Sequence, residues 1–382
     1  MNPKLLFITC HKFCDNNGGV NGSKGFAHCF SRLFDDCSII YPEFGGDPHP
    51  FFPQNFKLYP CHDNRGKPLK ALDMYRGVLS PLYYAVRKHL KSHKYDIIVV
   101  DHSVTGTSII KAIKATGAKV ITIHHNVERD YLRDNIKEWP IVIRYAYHHY
   151  AKKSEHDCLK NSDINLTVTE RDASQFRSWY SNQDIHVYNW GNFEFRTLED
   201  KLFPSKGKEK TFVITGSLEF YQSLLPIMEF LERYWPLIKK EYKDANLKIA
   251  GRNPHQKLIE ACTKENIQIF PNPTDMSAIV QQANYYICPI YAGSGRKLRI
   301  IDAFKQGLPV LCHDVSMSGY EDMASSNCLF PYHNEETFVT SLHMMLSTDI
   351  SKEEVYQTFR KNFSIEAGTR KLESILKSEG VI

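Results

Sequence analysis

The chain of 382 residues has no long apolar run near its start, no Cys-x-x-Cys pair, no low-complexity tract and no large surplus of one charge. Each absence removes a class of protein. The opening MNPKLLFITC holds only a short apolar run, Leu5 to Ile8, before Cys10 and His11. That is far shorter than a secretion-signal core or a spanning helix, so the expected location is the cytoplasm. Ten cysteines are scattered without paired spacing, which argues against a disulfide framework or a zinc knuckle. Cys10, His11 and Cys14 lack a second ligand pair downstream, and no metal site is expected there. A formal charge of +5, from 48 Lys plus Arg against 43 Asp plus Glu, does not call for a nucleic acid partner. It permits an anionic ligand or an acidic membrane surface.

What is present is an ordinary enzyme-like composition, 42% hydrophobic and 24% charged, in a chain long enough for two domains. Apolar runs suited to strands alternate with segments of helical period. LLFITC, SIIY, IIVVD, KVITIHHN and INLTVT are separated by GFAHCFSRLF, TSIIKAIKATG and a helical stretch from Ile141 to Lys160. These runs are continuous in Val and Ile rather than alternating, as in parallel strands covered on both faces. The beat breaks between Val187 and Phe212, then resumes with KTFVITG, a helix from about Ser223 to Tyr242, NLKIAG, IQIFP, YYICPIY and LPVLCHD. The reading is α/β, with two doubly wound Rossmann-like domains facing across a cleft. The first spans 1–192 and the linker 193–208; the second spans 209–382, with terminal helices able to pack back on the first. Ligands of such sheets bind beyond the carboxyl ends of the strands, so residues just after strands carry the most information.

After YYICPIY comes AGSGRKLRIIDAFKQG, residues 292–307, in which Gly293, Ser294 and Gly295 open a helix whose first turn is loaded with Arg296, Lys297 and Arg299. A glycine approach, a helix amino terminus and nearby cations make a phosphate-binding arrangement. Ile300, Ala303, Phe304 and Gly307 share the face expected on the sheet; Arg299 and Asp302 lie on another. Facing a ligand, that cation and carboxylate can hold a diphosphate and a ribose diol; on a solvated helix they are an ion pair worth a few tenths of a kcal/mol.

His124 and His125 end the strand VITI ahead of Asn126 and Glu128, so at least one imidazole is expected at a strand's carboxyl end, the alternative being that both cap the strand. Glu128 either orients an acceptor hydroxyl or pairs with Arg129. Asn16 to Gly25, with glycines at 18, 19, 22 and 25, reads as a loop through which backbone approaches a ligand, or as a plain mobile loop. Its spacing is not the dinucleotide fingerprint Gly-x-Gly-x-x-Gly. From Arg65 to Lys94, eight Lys or Arg interleave with Leu and Tyr against the single acid Asp73. That segment either rests on an anionic membrane, or is an ordinary helix with Leu82, Val86 and Leu90 inward and Arg87, Lys88, Lys91 and Lys94 in water.

The run CPIYAGSGRKLRIIDAFKQGLPVLCHD resembles the donor-binding segment of retaining GT-B glycosyltransferases of family 4. ITGSLEFYQS and LKIAGRNP resemble two further loops of the same family's carboxy domain, and HHNVE with the Gly18 and Gly19 region fits its acceptor domain. The resemblance is strong over 209–320 and looser before 190. It implies donor contacts at Gly216, Ser217, Gly251, Arg252, Gly293, Ser294 and Gly295, with Asp302 on the ribose and Arg299 and Lys297 on the diphosphate. It also implies His125 near the reacting carbon, and Gly18, Gly19 and Glu128 on the acceptor side. Ser294 stands where many members carry a second carboxylate, and Asp302 is a methylene shorter than the usual Glu.

The implied activity is transfer, with retention, from a nucleotide diphosphate sugar as co-substrate to a hydroxyl of a glycan or lipid-linked acceptor, with no cofactor. No Asp-x-Asp occurs, so a divalent ion bridging the diphosphate is not called for. An epimerase or phosphorylase of the same architecture, or a catalytically silent binding partner in polysaccharide assembly, remains the alternative. The expected place of work is the cytoplasm, with peripheral contact at the inner face of the membrane.

Overall fold

Side chains of a strand alternate between the two faces of its sheet, so a strand apolar at every position has to be covered on both. The computed structural model describes residues 3–15, 17–62, 82–135, 139–181, 183–196, 203, 209–219, 221–292 and 295–382. In it, β1 (Lys4–Thr9) is such a strand from Leu5 to Ile8. Leu5 and Phe7 join a core with Phe26, Phe30 and Trp190, whereas Leu6 and Ile8 join another with Ile98, Val100, Ile109 and Ile113. Each such side chain contributes roughly 1.5–3 kcal/mol when fully buried.

With β2 (Asp36–Pro42), β3 (Phe56–Cys61), β4 (Ile97–Asp101), β5 (Lys119–His124), β6 (Ile164–Thr167) and β7 (Val187–Asn189), it forms a parallel sheet in the order β3-β2-β1-β4-β5-β6-β7. A second parallel sheet contains β8 (Thr211–Ser217), β9 (Asn246–Arg252), β10 (Gln268–Pro271), β11 (Tyr285–Cys288), β12 (Val310–His313) and β13 (Leu329–Tyr332), in the order β10-β9-β8-β11-β12-β13. Both sheets are doubly wound, and their order reverses between β1 and β4 and between β8 and β11. Cys288 and Cys312 are buried small side chains on β11 and β12, as their apolar runs predict. Among the described residues no helix is long and apolar enough to cross a membrane.

The chain divides into two units, residues 1–195 with 364–382, and residues 196–363. The last helix, Ile365–Ser378, is therefore part of the first unit's core, where Leu372 and Leu376 are fully buried. The Trp190 indole donates to the Gly368 carbonyl at 2.9 Å. Phe193, expected in the linker, is buried in the same core, and most of 197–208 lies outside the described residues.

Two expectations change, and a third segment fits one of its two stated alternatives. The glycine-rich stretch is no loop beyond Asn17: helix Gly18–Leu33 starts there, with the Asn17 side chain accepting from the Val20 N–H at 3.1 Å. Its glycines serve packing, since a Cβ at Gly25 would lie 2.0 Å from the Phe193 carbonyl oxygen. The helix expected from Ser223 to Tyr242 is Tyr221–Glu229 and Trp235–Glu241 joined by a π-helical turn, Phe230–Tyr234. Pro226 and Pro236 each remove an amide donor from this stretch. Finally, helix Leu82–Leu90 buries Leu82 and Val86 and exposes Arg87 and Lys88, the ordinary-helix alternative. Arg65 to Pro81, the rest of that basic segment, lies outside the described residues.

Candidate active site

In the second unit the site is built where β8, β9 and β11 end. Gly216 and Gly251 pair in register on β8 and β9, and both are glycines for space. A Cβ at Gly251 would lie 2.0 Å from the Gly216 carbonyl oxygen, and one at Gly216 would lie 2.9 Å from the Arg299 guanidinium. Arg299 stands in the first turn of helix Leu298–Lys305, whose Ile300, Ala303 and Phe304 are buried as the wheel predicts. Its Nη2 donates to the Ser223 hydroxyl at 3.2 Å. Its Nη1 is buried and finds no partner among the described residues. A buried guanidinium donor left open is costly unless a ligand completes it.

The other cations of the motif do not share its first turn. Lys297 is the N-cap, its carbonyl accepting from the Tyr320 hydroxyl at 2.8 Å. Arg296 precedes the helix and turns onto the Tyr320 and Phe363 rings at 5.1 and 5.6 Å. Asp302 is half exposed and lies 3.5 Å from Arg196, so its ion-pair partner is not Arg299. Ser217 is half-buried, Arg252 exposed and Gly295 buried; Gly293 and Ser294 lie outside the described residues.

In the first unit the register sets Thr9 beside Asp101, and Asp101 beside Ile123, so the ends of β1, β4 and β5 are level. The residues just past them meet. The Thr9 hydroxyl donates to Asp101 Oδ2 at 2.7 Å, and Asp101 Oδ1 lies 2.7 Å from His125 Nε2. The ring of His125 is 5.3 Å from that of His11 and 4.8 Å from that of His102. His124, pointing to the other face as a neighbouring strand residue must, is bonded to Asn165 at 3.0 Å and packs on Phe176.

Burial opposes the Asp101 charge, but His125 and His11 outweigh it and hold this carboxyl well below its usual range. Burial pushes His11 down to about 4 and His102 well below its ordinary value.

Glu128 is buried at the start of helix Glu128–Asn135. It does not pair with Arg129 as the sequence allows: Arg129 Nε donates to Glu155 Oε1 at 2.8 Å and stacks on Trp179 at 3.9 Å. Burial, reinforced by the charge of Glu155, pushes the Glu128 carboxyl up to about 8. Gly18 and Gly19 open the first helix, and a Cβ at Gly19 would come 3.2 Å from the His11 ring. Thr9, Asp101 and His102 were not singled out from sequence, and His11 only within the set Cys10, His11 and Cys14, although Asp101 and His102 directly follow the apolar run IIVV, the same strand-end signal that marks His125.

Residues 209–348 match the family model described as glycosyl transferases group 1. An uncharacterized glycosyltransferase of Haemophilus influenzae is 24% identical over 189 residues, 48% of this chain and 51% of that protein. The match thus spans about half the length of that curated relative. Among solved structures, the apo form of the lipopolysaccharide outer core galactosyltransferase WaaB superposes with a TM-score of 0.68 at 14% identity, over 98% of this chain and 99% of that one. Sucrose-phosphate synthase from Thermosynechococcus elongatus gives 0.68 at 10% identity, over 98% of each chain. HepE of Anabaena, solved with UDP, gives 0.66 at 10% identity, over 98% and 100%.

Proposed function

Starting from a chain of GT-B architecture whose residues 209–348 match the model of the glycosyl transferases group 1 family, we propose that it moves a sugar from a nucleotide diphosphate donor to a hydroxyl of a glycan or lipid-linked acceptor, with retention at the anomeric carbon. The observation that carries this reading is the open, buried Nη1 of Arg299, tucked against Gly216 at the end of β8. A diphosphate leaving group develops negative charge as its bond to the sugar breaks, and a preorganised guanidinium in a partly dry site stabilises that charge most where it appears. Lys297 adds a second cation, so no divalent ion is required at the diphosphate. Asp302 takes the ribose diol, exchanging its half-exposed contact with Arg196 for the ligand.

Gly216, Ser217, Gly251 and Arg252 frame the donor, and Gly293, Ser294 and Gly295 are assigned to it from the sequence motif. His125, oriented by Asp101, approaches the sugar, while Gly18, Gly19 and Glu128 serve the acceptor. The acceptor hydroxyl attacks from the face the diphosphate leaves, and its proton passes to the departing phosphate oxygen. UDP, the ligand in the HepE structure, is the nucleotide to try first.

Work at the inner face of a membrane is part of this reading. It is supported by the exposed start of helix Ile141–Asn161, where Ile141, Val142 and Tyr145 are each more than 75% exposed beside Arg144.

The test is turnover of labelled UDP-sugars with and without a hydroxyl acceptor, in excess chelator. Transfer that needs acceptor and survives the chelator supports the proposal. Isomerisation of the donor without acceptor would point to an epimerase, and binding without turnover to a silent partner.

A further inference from the structure

Within the second unit a separate hollow opens at the ends of β11, β12 and β13. Pro289 follows β11, His313 ends β12 and Tyr332 ends β13. With Pro226 and Glu229 of helix Tyr221–Glu229 and the start of helix Glu335–Ser347, they line a pocket of about 530 Å³. Sites for small ligands span roughly 300–1,000 Å³. None of the lining residues takes part in the proposed transfer. Tyr332 is buried at the floor, while Tyr291, 37% exposed, brings a ring to within 5.6 Å of the His313 ring. The polar groups hold one another in place. Glu229 accepts from Arg233 Nη1 at 2.7 Å and from the Tyr291 hydroxyl. Asp314 lies 2.9 Å from His313 Nδ1 and 2.8 Å from His333 Nδ1. Arg233 reaches the pocket from the π-helical turn Phe230–Tyr234, a rare conformation that recurs at functional sites.

That lining selects among ligands. Among the described residues that line it, Arg233 alone carries a fixed positive charge, and it is engaged by Glu229 and, at 2.9 Å, by Glu335. Such a field opposes a phosphate or a nucleotide. A dication is disfavoured as well, because each Asp314 oxygen already faces an imidazole and Glu229 already faces a guanidinium. What remains on offer is carboxylate lone pairs for hydroxyl donors, the Asn334 amide and imidazoles for hydroxyls of either role, and aromatic surface for C–H groups. A neutral sugar ring presents that set. We propose that the pocket is a second saccharide site, taking one neutral hexose or N-acetylhexosamine unit of a glycan, apart from the residues assigned to donor and acceptor. The inference concerns binding alone, so it and the transfer reading can fail separately.

The experiment is saturation-transfer NMR on the full chain with excess UDP, using glucose, galactose, mannose, N-acetylglucosamine, maltose and chitobiose as probes. Signal is expected from at least one of them. Its dissociation constant should rise about tenfold in Tyr291→Ala and in His333→Ala, return toward the wild-type value in Tyr291→Phe, and stay unchanged in Arg299→Ala. His333 is exposed, so its variant leaves folding out of the question. No signal from any probe, equal affinity in all variants, or loss in Arg299→Ala alone would overturn the site. So would calorimetric binding of inorganic phosphate or of Zn²⁺ that His333→Ala abolishes.

Discussion

Arg299 and Glu128 each keep one buried polar atom without a hydrogen-bond partner among the described residues, and they ask for opposite experiments. If the donor diphosphate completes Arg299 as proposed, Arg299→Ala should raise the donor KM and lower kcat together by tenfold or more, since about 1.4 kcal/mol is a factor of ten. Unchanged donor kinetics would remove the assignment. Glu128 instead bears on stability. An acid whose pKa is higher folded than unfolded holds its proton more tightly in the fold, so stability declines as pH rises from the free value of 4.5 through about 8. Glu128→Gln should therefore melt above the wild type at pH 8 by several degrees and lose that advantage near pH 5, as read by calorimetry. A constant difference across that range would place the carboxylate's burden elsewhere. What sequence could show at this scale is the strand-end position of His125. It could not show that Asp101 holds it, because hydrogen bonding across β4 and β5 depends on a register that a linear scan does not contain.

At the scale of elements, legibility followed burial. Strands covered on both faces, such as β1 and β4, announce themselves as apolar runs. The edge strand β3 holds Lys57 and Pro60, β7 is three residues long and β13 is interrupted by Pro331, so none of them reads as a run. The glycines of helix Gly18–Leu33 misled for a related reason: in sequence they imply a loop, whereas in the fold they admit the backbone of residue 193. Gly25→Ala should accordingly cost ~1–3 kcal/mol or more, the range for overpacking a tight contact. Gly45→Ala, where an added Cβ meets nothing within 4 Å, should leave urea denaturation nearly unchanged. Equal effects at the two positions would contradict the packing role.

For the whole molecule, the first unit borrows its last helix from beyond the second. Leu372→Ala should destabilise by about 2–5 kcal/mol, as large-to-small changes in a closed core do, and calorimetry should show the loss in the unit formed by 1–195 and 364–382 while the transition of 196–363 stays in place. A shift confined to the second unit's transition would contradict that division. The arrangement also sets an order of events during synthesis. When Phe195 leaves the ribosome, the surface that will receive Leu372 and Leu376 is still open, and it stays open until 196–363 have been made. At ~5–20 residues per second that is on the order of ten to thirty seconds in which the second unit can finish folding before the first can begin to close. The nascent chain is thus a natural client for a chaperone over that interval, and a ribosome stalled anywhere inside 196–363 should display an unfinished first unit.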